Sequence, residues 1–575
     1  MSASVGRRTF LRSTAIASSG LAAAALIGCG NKKEKEQKGD AQAPLPTPVA
    51  AATSDVKRGG VYRNFVNGDP PSIDMYTSPA AGTRTLAAYT HSRLFRIDAQ
   101  PGKNPFEQAA VGDLAESAET ADGAVWTVKL RKGVKFQNVD PVNGRELTSD
   151  DVVFSWNKLT GPKSTLAAAV KNIKKVEAID KYTLRFTHDA PNADFKEQLA
   201  DAFLLWIAPV ESDGKYDPGK KSIGTGPWIL DRYDVSQKFV FKRNPDYFIK
   251  DLPYMDGVEQ SIIPEYANQM AQFQAGNVFN MTPTASDVLP LRKQFSDLQW
   301  MNRTGTGMWG VFFAPKENDP TGPQQDEQFR IAVSYAIDRG ALLELLYNVK
   351  ALKDAGLAVV TEWNNQVSVG MGKKWWLDPN APEMGPAAKY FQYNPAEAKK
   401  LLSAMGLKSD TKITYQYTHN RYGATFGIAA EAILGQLTQA GFPLVSEQQD
   451  YNAKFITQTW QGRFKGIALG NFGGFSSLSG YLGEQIDDNP GNRRLLHTTD
   501  ILDLKRKQSE AVNEADRIKL VHELQKVNAT NMYIVPTTGG GGTSYFAFRP
   551  QVRGIRDTRG LGGGTEQLAN YWLSS

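Results

Sequence analysis

An α/β body with mixed sheets is the fold class this sequence predicts, and three observations predict it. Short strand patterns, tight turns and amphipathic helices alternate along the chain, which suits neither an all-β nor an all-α body. No internal repeat is apparent. The length, 575 residues, exceeds one ordinary core, so two or more domains or lobes are expected. With 41% hydrophobic and 22% charged residues, the composition is that of a soluble globular chain.

The first residues read as an address. Arg7 and Arg8 precede Phe10, Leu11 and a weakly apolar Ala/Ser/Gly stretch, which resembles a twin-arginine export signal, with Gly6 where Ser or Thr is usual. The apolar run from Ser13 to Gly28 is shorter than the ~20 residues a spanning helix wants. Leu26-Ile27-Gly28-Cys29 then resembles the bacterial lipobox, which implies cleavage before Cys29 and lipidation of its thiol. Residues 30–57 are rich in Lys, Glu, Gln, Ala and Pro without apolar periodicity, the composition of a flexible tether. The expected plan is a signal peptide over 1–28, a lipid-anchor linker over 29–57 and a globular body beyond. Export would place that body at the extracytoplasmic face of the cell membrane or in the periplasm.

Within the body, "VWTVKLRKGVKF" puts Trp126, Val128 and Leu130 on one strand face and Thr127, Lys129 and Arg131 on the other, with a turn at Gly133. "VEAIDKYTLRF" is a second hairpin, turning at Asp180-Lys181. Thr148 and Asp151 have capping-box spacing ahead of Val152, Val153 and Trp156. In "YNPAEAKKLLSAMG", Asn394 caps a helix, Pro395 takes its first position and Gly406 ends it. "QFRIAVSYAIDRGALLELLY" and "AAEAILGQLTQAGF" are helical by apolar spacing.

Several function classes find no support. The net charge is +6, with three positive charges in the export segment, and no basic block carries interleaved aromatics, so no nucleic acid partner is expected. A single cysteine excludes an internal disulfide and a Cys-based zinc cluster. The five histidines (His91, His188, His419, His497, His522) show no metal-binding spacing, and no metal or cofactor is expected. No GxSxG occurs. "GKYDPGKK" misses a P-loop, with Lys221 in place of Ser or Thr, and "GTGMWG" precedes a strand pattern where a dinucleotide fingerprint would follow one. Aromatic residues are abundant, with 11 Trp, 21 Tyr and 27 Phe, and several lie in loop-like contexts that suit stacking on a ligand.

Taken in order, "RGGVYRNFVNGDPPSIDMY", "LAESAETADGAVWTVKLRKGVKFQN", "RELTSDDVVFSW", "IGTGPWILDRYDVSQKFVFKRNPDYF", "FRIAVSYAIDRGALL" and "NPAEAKKLLSAMG" resemble the family-5 extracellular solute-binding proteins of ABC importers, which include dipeptide, oligopeptide and nickel binders. The resemblance runs from about Arg58 to near the C-terminus. It implies a type II periplasmic-binding-protein-like fold of two lobes. Lobe I would comprise 58–306, with an inserted subdomain near 100–222, and 538–575. Lobe II would comprise 307–537. Two hinge crossings would fall at "RTGTGMWG" and "PTTGGGG", whose glycines suit segments that absorb large φ/ψ changes. The implied activity is capture of a solute by hinge closure and delivery to an ABC permease by a monomer, without catalysis. The alternatives are a secreted, lipid-anchored carbohydrate-active enzyme, which needs two cleft carboxylates, and a scaffold or adhesion module.

The ligand is less legible. Peptide binders of this family carry an Asp for the peptide α-ammonium in a Gly-Trp-x-x-Asp-x-x-x-Pro loop. Here "GNFGGFSSLSGYL" puts Gly474 at the acid and Asn471 at the Trp, and no acid occurs between Gly470 and Gly483. A buried ammonium needs a paired charge. Either the ligand is a peptide held through backbone hydrogen bonds and another acid, or it lacks an ammonium, as an oligosaccharide does. Trp363, Asn364, Asn365, Trp375, Trp376, Phe472 and Phe475 would suit a sugar. Tyr451 is a cleft candidate by alignment, and Tyr76, Thr83 and Trp309 are the candidates from the first lobe and the crossing.

Overall fold

The computed structural model describes residues 56–574 apart from 79, 101–104, 106–107, 165, 408–409, 420, 474, 487–498 and 560–562. The export segment, Cys29, nearly all of the tether and Gly474 therefore lie outside the described residues.

The opening strand, Val61–Val66, pairs in parallel with Gly257–Ile262, and Lys238–Arg243 and Trp228–Asp234 extend that sheet antiparallel. Its inward residues Tyr62, Val258, Phe239, Phe241 and Trp228 form one core with Leu86 and Tyr89 of the helix Ala81–Thr90. The "IGTGPW" segment passes the C-terminal end of this helix at a separation only glycine permits. A Cβ on Gly224 would stand 2.4 Å from the Thr90 carbonyl oxygen, and one on Gly226 would stand 2.5 Å from the Thr90 carbonyl carbon. Gln137, fully buried, joins the two by donating to the carbonyls of Thr90 (3.1 Å) and Trp228 (2.7 Å).

A second, antiparallel sheet has the order Ala115–Thr120, Val125–Leu130, Thr183–His188, Ile173–Asp180. Val128 and Leu130 are buried and Lys129 is exposed, as the alternation requires. The hairpin turns at Lys181-Tyr182, one residue beyond the expected pair, because Asp180 still pairs with Thr183. The helix Ser149–Thr160 lies on this sheet and carries the capping box of Thr148 and Asp151.

A third sheet runs Leu444–Gln449, Ile413–Thr418, Ile467–Phe472, Met308–Phe313, Ile534–Pro536. The first three strands are parallel neighbours, and the helix Ala424–Gln439 makes the crossover between the first two. Asn394 accepts from the Glu397 N–H and starts the helix Pro395–Ala404. The stretch "QFRIAVSYAIDRGALLELLY" forms two helices, Glu327–Ala336 and Arg339–Tyr347. Ile337 is extended between them, and Asp338 caps the second through the Ala341 N–H.

The chain crosses between sheets twice. Gln299–Thr304 pairs with Thr543–Phe548 in a sheet with Asn280–Met281, whereas Met308–Phe313 pairs with Ile534–Pro536 in the third sheet. The outward passage is 305–307 and the return is 537–542. The two passages bond to each other, with Gly305 N–H donating to Gly542 (3.0 Å) and Trp309 N–H to Gly539 (2.9 Å). Conformational freedom accounts for few of the glycines here. Among those at 305, 307 and 539–542, only Gly540 has a left-handed φ, +78°. The others are small because something stands close: a Cβ on Gly305 would stand 2.0 Å from the Gly540 carbonyl oxygen, one on Gly539 2.0 Å from the Trp309 ring, one on Gly541 2.2 Å from Asn364 and one on Gly542 2.4 Å from Tyr347.

Candidate ligand-binding site

The loop aligned with the family's ligand acid follows the strand Ile467–Phe472, which lies beside Met308–Phe313 in the register Phe472 to Met308. After the loop, Ser477 accepts from the Gly480 N–H and starts the helix Leu478–Gln485. This helix brings an acid back to the loop: Glu484 Oε2 accepts from the Gly473 N–H at 2.8 Å. Glu484 is half-buried and close enough to Tyr422 to act on its phenol electrostatically, as do Tyr451 and Arg421. Tyr422 and Tyr451 meet edge to face at 5.5 Å. The sequence window ending at Gly483 stops one residue short of this acid. The usable signal was the Ser477 cap, which makes 478–485 a helix and folds Glu484 back over the loop.

The same loop and helix meet the segment 193–203, which follows the second sheet. Asp201 accepts from Ser476 N–H at 2.7 Å, and Asp194 accepts from Ser479 N–H at 2.8 Å. Arg517, on the helix Glu514–Asn531, donates through both Nη atoms to Asp194 at 2.5 Å each. Phe203 lies against Phe475 with ring centroids 5.9 Å apart. Burial alone would raise the Asp194 pKa, but the charge and hydrogen bonds of Arg517 and the Ser479 N–H outweigh it and hold the carboxyl below its usual range. For Asp201 burial wins over the N–H bonds from Phe203 and Ser476, and its pKa is raised.

The structure distributes the sequence candidates over five places. Trp309 and Asn364 come together at the return crossing: Asn364 Nδ2 donates to Thr537 (2.8 Å) and Gly539 (3.2 Å), while its Oδ1 accepts from Ser368 and Val369 (both 3.2 Å). Trp309 also packs on Phe426 at 5.1 Å. Asn365 and Trp376 are buried and bond to the backbone of Leu377 and Trp363, respectively, and Trp363 packs at the edge of the third sheet's core. Trp375 lies beside the Asp194–Arg517 pair, with the Arg517 guanidinium 5.2 Å from its ring, and Phe475 lies against Phe203. Phe472 is fully buried against Phe312 and Trp460, with Tyr451 at the rim of that cluster. Tyr76 donates to the Trp206 carbonyl and Thr83 to that of Ser72 (2.6 Å). Next to Thr83 in the chain, and acting on the Tyr76 phenol electrostatically, is Arg84, which sequence reasoning missed. It is fully buried, its pKa is pulled down to about 10 by burial, and its Nε and Nη1 have no partner among the described residues.

Among the described residues no group of three or more His, Cys, Asp or Glu is placed to hold a metal ion, and no helix is long and apolar enough to cross a membrane.

Comparison with known proteins places these features in a family. The bacterial extracellular solute-binding proteins, family 5 (middle region), match residues 109–492. Di/tripeptide-binding protein 1 of Pseudomonas aeruginosa (strain UCBPP-PA14) is 25% identical over 371 residues, which is 60% of this chain and 63% of that relative, so the match spans under two thirds of its length. Among solved structures, the PBP AgaA from A. tumefaciens R10 in complex with agropinic acid superimposes with a TM-score of 0.74 at 20% identity, covering 90% of this chain and 99% of AgaA. The periplasmic binding protein DppA from Helicobacter pylori in complex with the peptide STSA superimposes with a TM-score of 0.73 at 20% identity, with the same coverage. The mixed α/β architecture with two crossings is the type II periplasmic-binding-protein fold, and the chain belongs to family 5 of the bacterial extracellular solute-binding proteins.

Proposed function

We propose that this chain is the substrate-binding protein of an ABC importer, and that it captures a short peptide between two lobes, 58–306 with 538–575 and 307–537. The observation that carries this reading is the pair of hydrogen-bonded passages at 305–307 and 537–542, where both strands change sheets together. Two adjacent crossings allow one body to rotate on the other without breaking either sheet. Binding is coupled to closure, and a solute shifts that equilibrium only by its differential affinity for the closed form. No step requires a nucleophile or a metal, and delivery to a permease follows release of the closed complex. Export and lipidation at Cys29 complete the proposal.

A peptide is favoured over an oligosaccharide by two observations. The asparagines and several rings suited to a sugar platform already serve the fold: Asn364 braces the crossing, Phe472 is core, and Trp376 bonds to Trp363. And Glu484 supplies a carboxylate at the loop where the sequence lacked one. The test is thermal unfolding of the purified body against di-, tri- and oligopeptides, oligosaccharides and metal chelates. A binding solute at 100 times its Kd adds about 2.7 kcal/mol of stability. Stabilisation by peptides is expected. If no solute of the panel raises the melting temperature, transport binding is wrong; if only sugars do, the peptide assignment is wrong.

A further inference from the structure

We propose that the inserted subdomain latches the closed protein by its own contacts, so that the free chain is compact before any solute arrives. The latch is the segment 193–203 of the inserted body seated on the N-terminal end of the helix Leu478–Gln485 and on the helix Glu514–Asn531. Four contacts of different chemistry converge there. Asp194 takes both Nη donors of Arg517 and the N–H of Ser479. Asp201 takes the N–H of Ser476, Ala193 N–H donates to the Ser509 carbonyl at 3.0 Å, and Phe203 covers Phe475.

Two features make this a latch and not an incidental contact. First, the first-turn N–H of Ser479 lacks an intrahelical partner by position, and the acceptor it uses belongs to the other body, as does that of the loop N–H of Ser476. The caps of a lobe II helix are completed only when the lobes touch. Second, the Asp194–Arg517 pair is 6% and 7% exposed, and two further guanidinium donors are used: Arg517 Nε donates to Gln508 Oε1 (3.2 Å) and Nη2 to Ser479 Oγ (3.3 Å). A buried ion pair repays its desolvation only when the geometry is bidentate and the flanking groups are satisfied, which is the case here. Opening hydrates both ions separately and breaks the fork.

The consequence is regulatory. A contact that favours closure without solute raises the fraction of binding-competent protein, and apparent affinity scales with that fraction. The inference goes beyond the identity of the solute, and its test uses none. Small-angle X-ray scattering of the free body should give the compact dimensions of the structure. Asp194→Asn and Arg517→Met should each shift the distribution to a larger radius of gyration while near-ultraviolet circular dichroism shows retained tertiary packing. Phe203→Ala, at a half-buried ring, provides a milder variant with the same expected direction should either charge variant fail to fold. A free wild-type body that already scatters as the open form, or folded variants with unchanged dimensions, would overturn the latch. Neither result bears on whether peptides bind.

Discussion

Asp194 and Arg517 are 323 positions apart and share two hydrogen bonds of 2.5 Å, so the segment that follows the second sheet is tied to the helix Glu514–Asn531 at one buried ion pair. The carboxylate also accepts from the Ser479 N–H, in the helix that carries Glu484. One helix therefore links the Asp194–Arg517 contact to the loop proposed for the ligand.

Glu484→Gln should weaken binding of a dipeptide with a free α-ammonium by about tenfold or more, in line with about 1.5–3 kcal/mol for a typical charged hydrogen bond. The N-acetylated dipeptide should lose nothing further. Calorimetric titration of both ligands checks this, and equal affinities for variant and wild type would move the ammonium site away from Glu484.

Gly226→Ala should destabilise the fold by about 1–3 kcal/mol or more, since the added methyl meets backbone that cannot step aside. Its nearest neighbours would be the Thr90 carbonyl carbon at 2.5 Å and the His91 nitrogen at 2.7 Å. Urea unfolding of the variant measures the loss.

Asn364→Ala should cost about 1–3 kcal/mol by removing the side-chain donor of a buried crossing carbonyl. The carbonyl concerned is that of Thr537, since Gly539 keeps the Trp309 N–H. A variant as stable as wild type, with ligand affinity lost, would instead make Asn364 a ligand residue.

His91 is buried with its pKa pulled down to about 3 by desolvation, against a hydrogen bond with the Ile223 backbone. The unfolded chain binds the proton near pH 6.5, so the stability this group contributes is present above that pH and lost on acidification toward about 3. Between pH 7.5 and 5 the loss is about 2 kcal/mol. Unfolding of wild type and His91→Asn at both pH values should differ in slope by that amount; identical slopes would contradict it.

Cys29→Ser should move the protein from the membrane fraction to the soluble one and leave solute affinity unchanged. A fall in affinity would give Cys29 a place in the fold.

Local elements were legible because their causes are local. The capping box at Thr148 and Asp151, the Asn394-Pro395 helix start and the alternation at Val128 and Leu130 need only neighbours in sequence. The break at Ile337 was not legible from apolar spacing, because the pattern continues through it while Asp338 starts a new cap. The site candidates divided on the same line. Trp309, Asn364 and Phe472 were identified as residue types suited to a ligand, yet tertiary packing gives Asn364 to the crossing and Phe472 to a core.

The sequence by itself determined the alternation of strands and helices, the family resemblance and the glycine-rich passages, since each depends on composition, order or short spacing. Only the tertiary structure decided why those glycines are there, which acid bonds to the loop after Phe472 and which carboxylates reach the helices Leu478–Gln485 and Glu514–Asn531. The physical reason is common to all three: a Cβ clash, a charge near a loop and a completed helix cap depend on distances through space. Thr90 against Gly226, Glu484 against Gly473 and Asp194 against Ser479 are set by folding, across separations that no local pattern encodes.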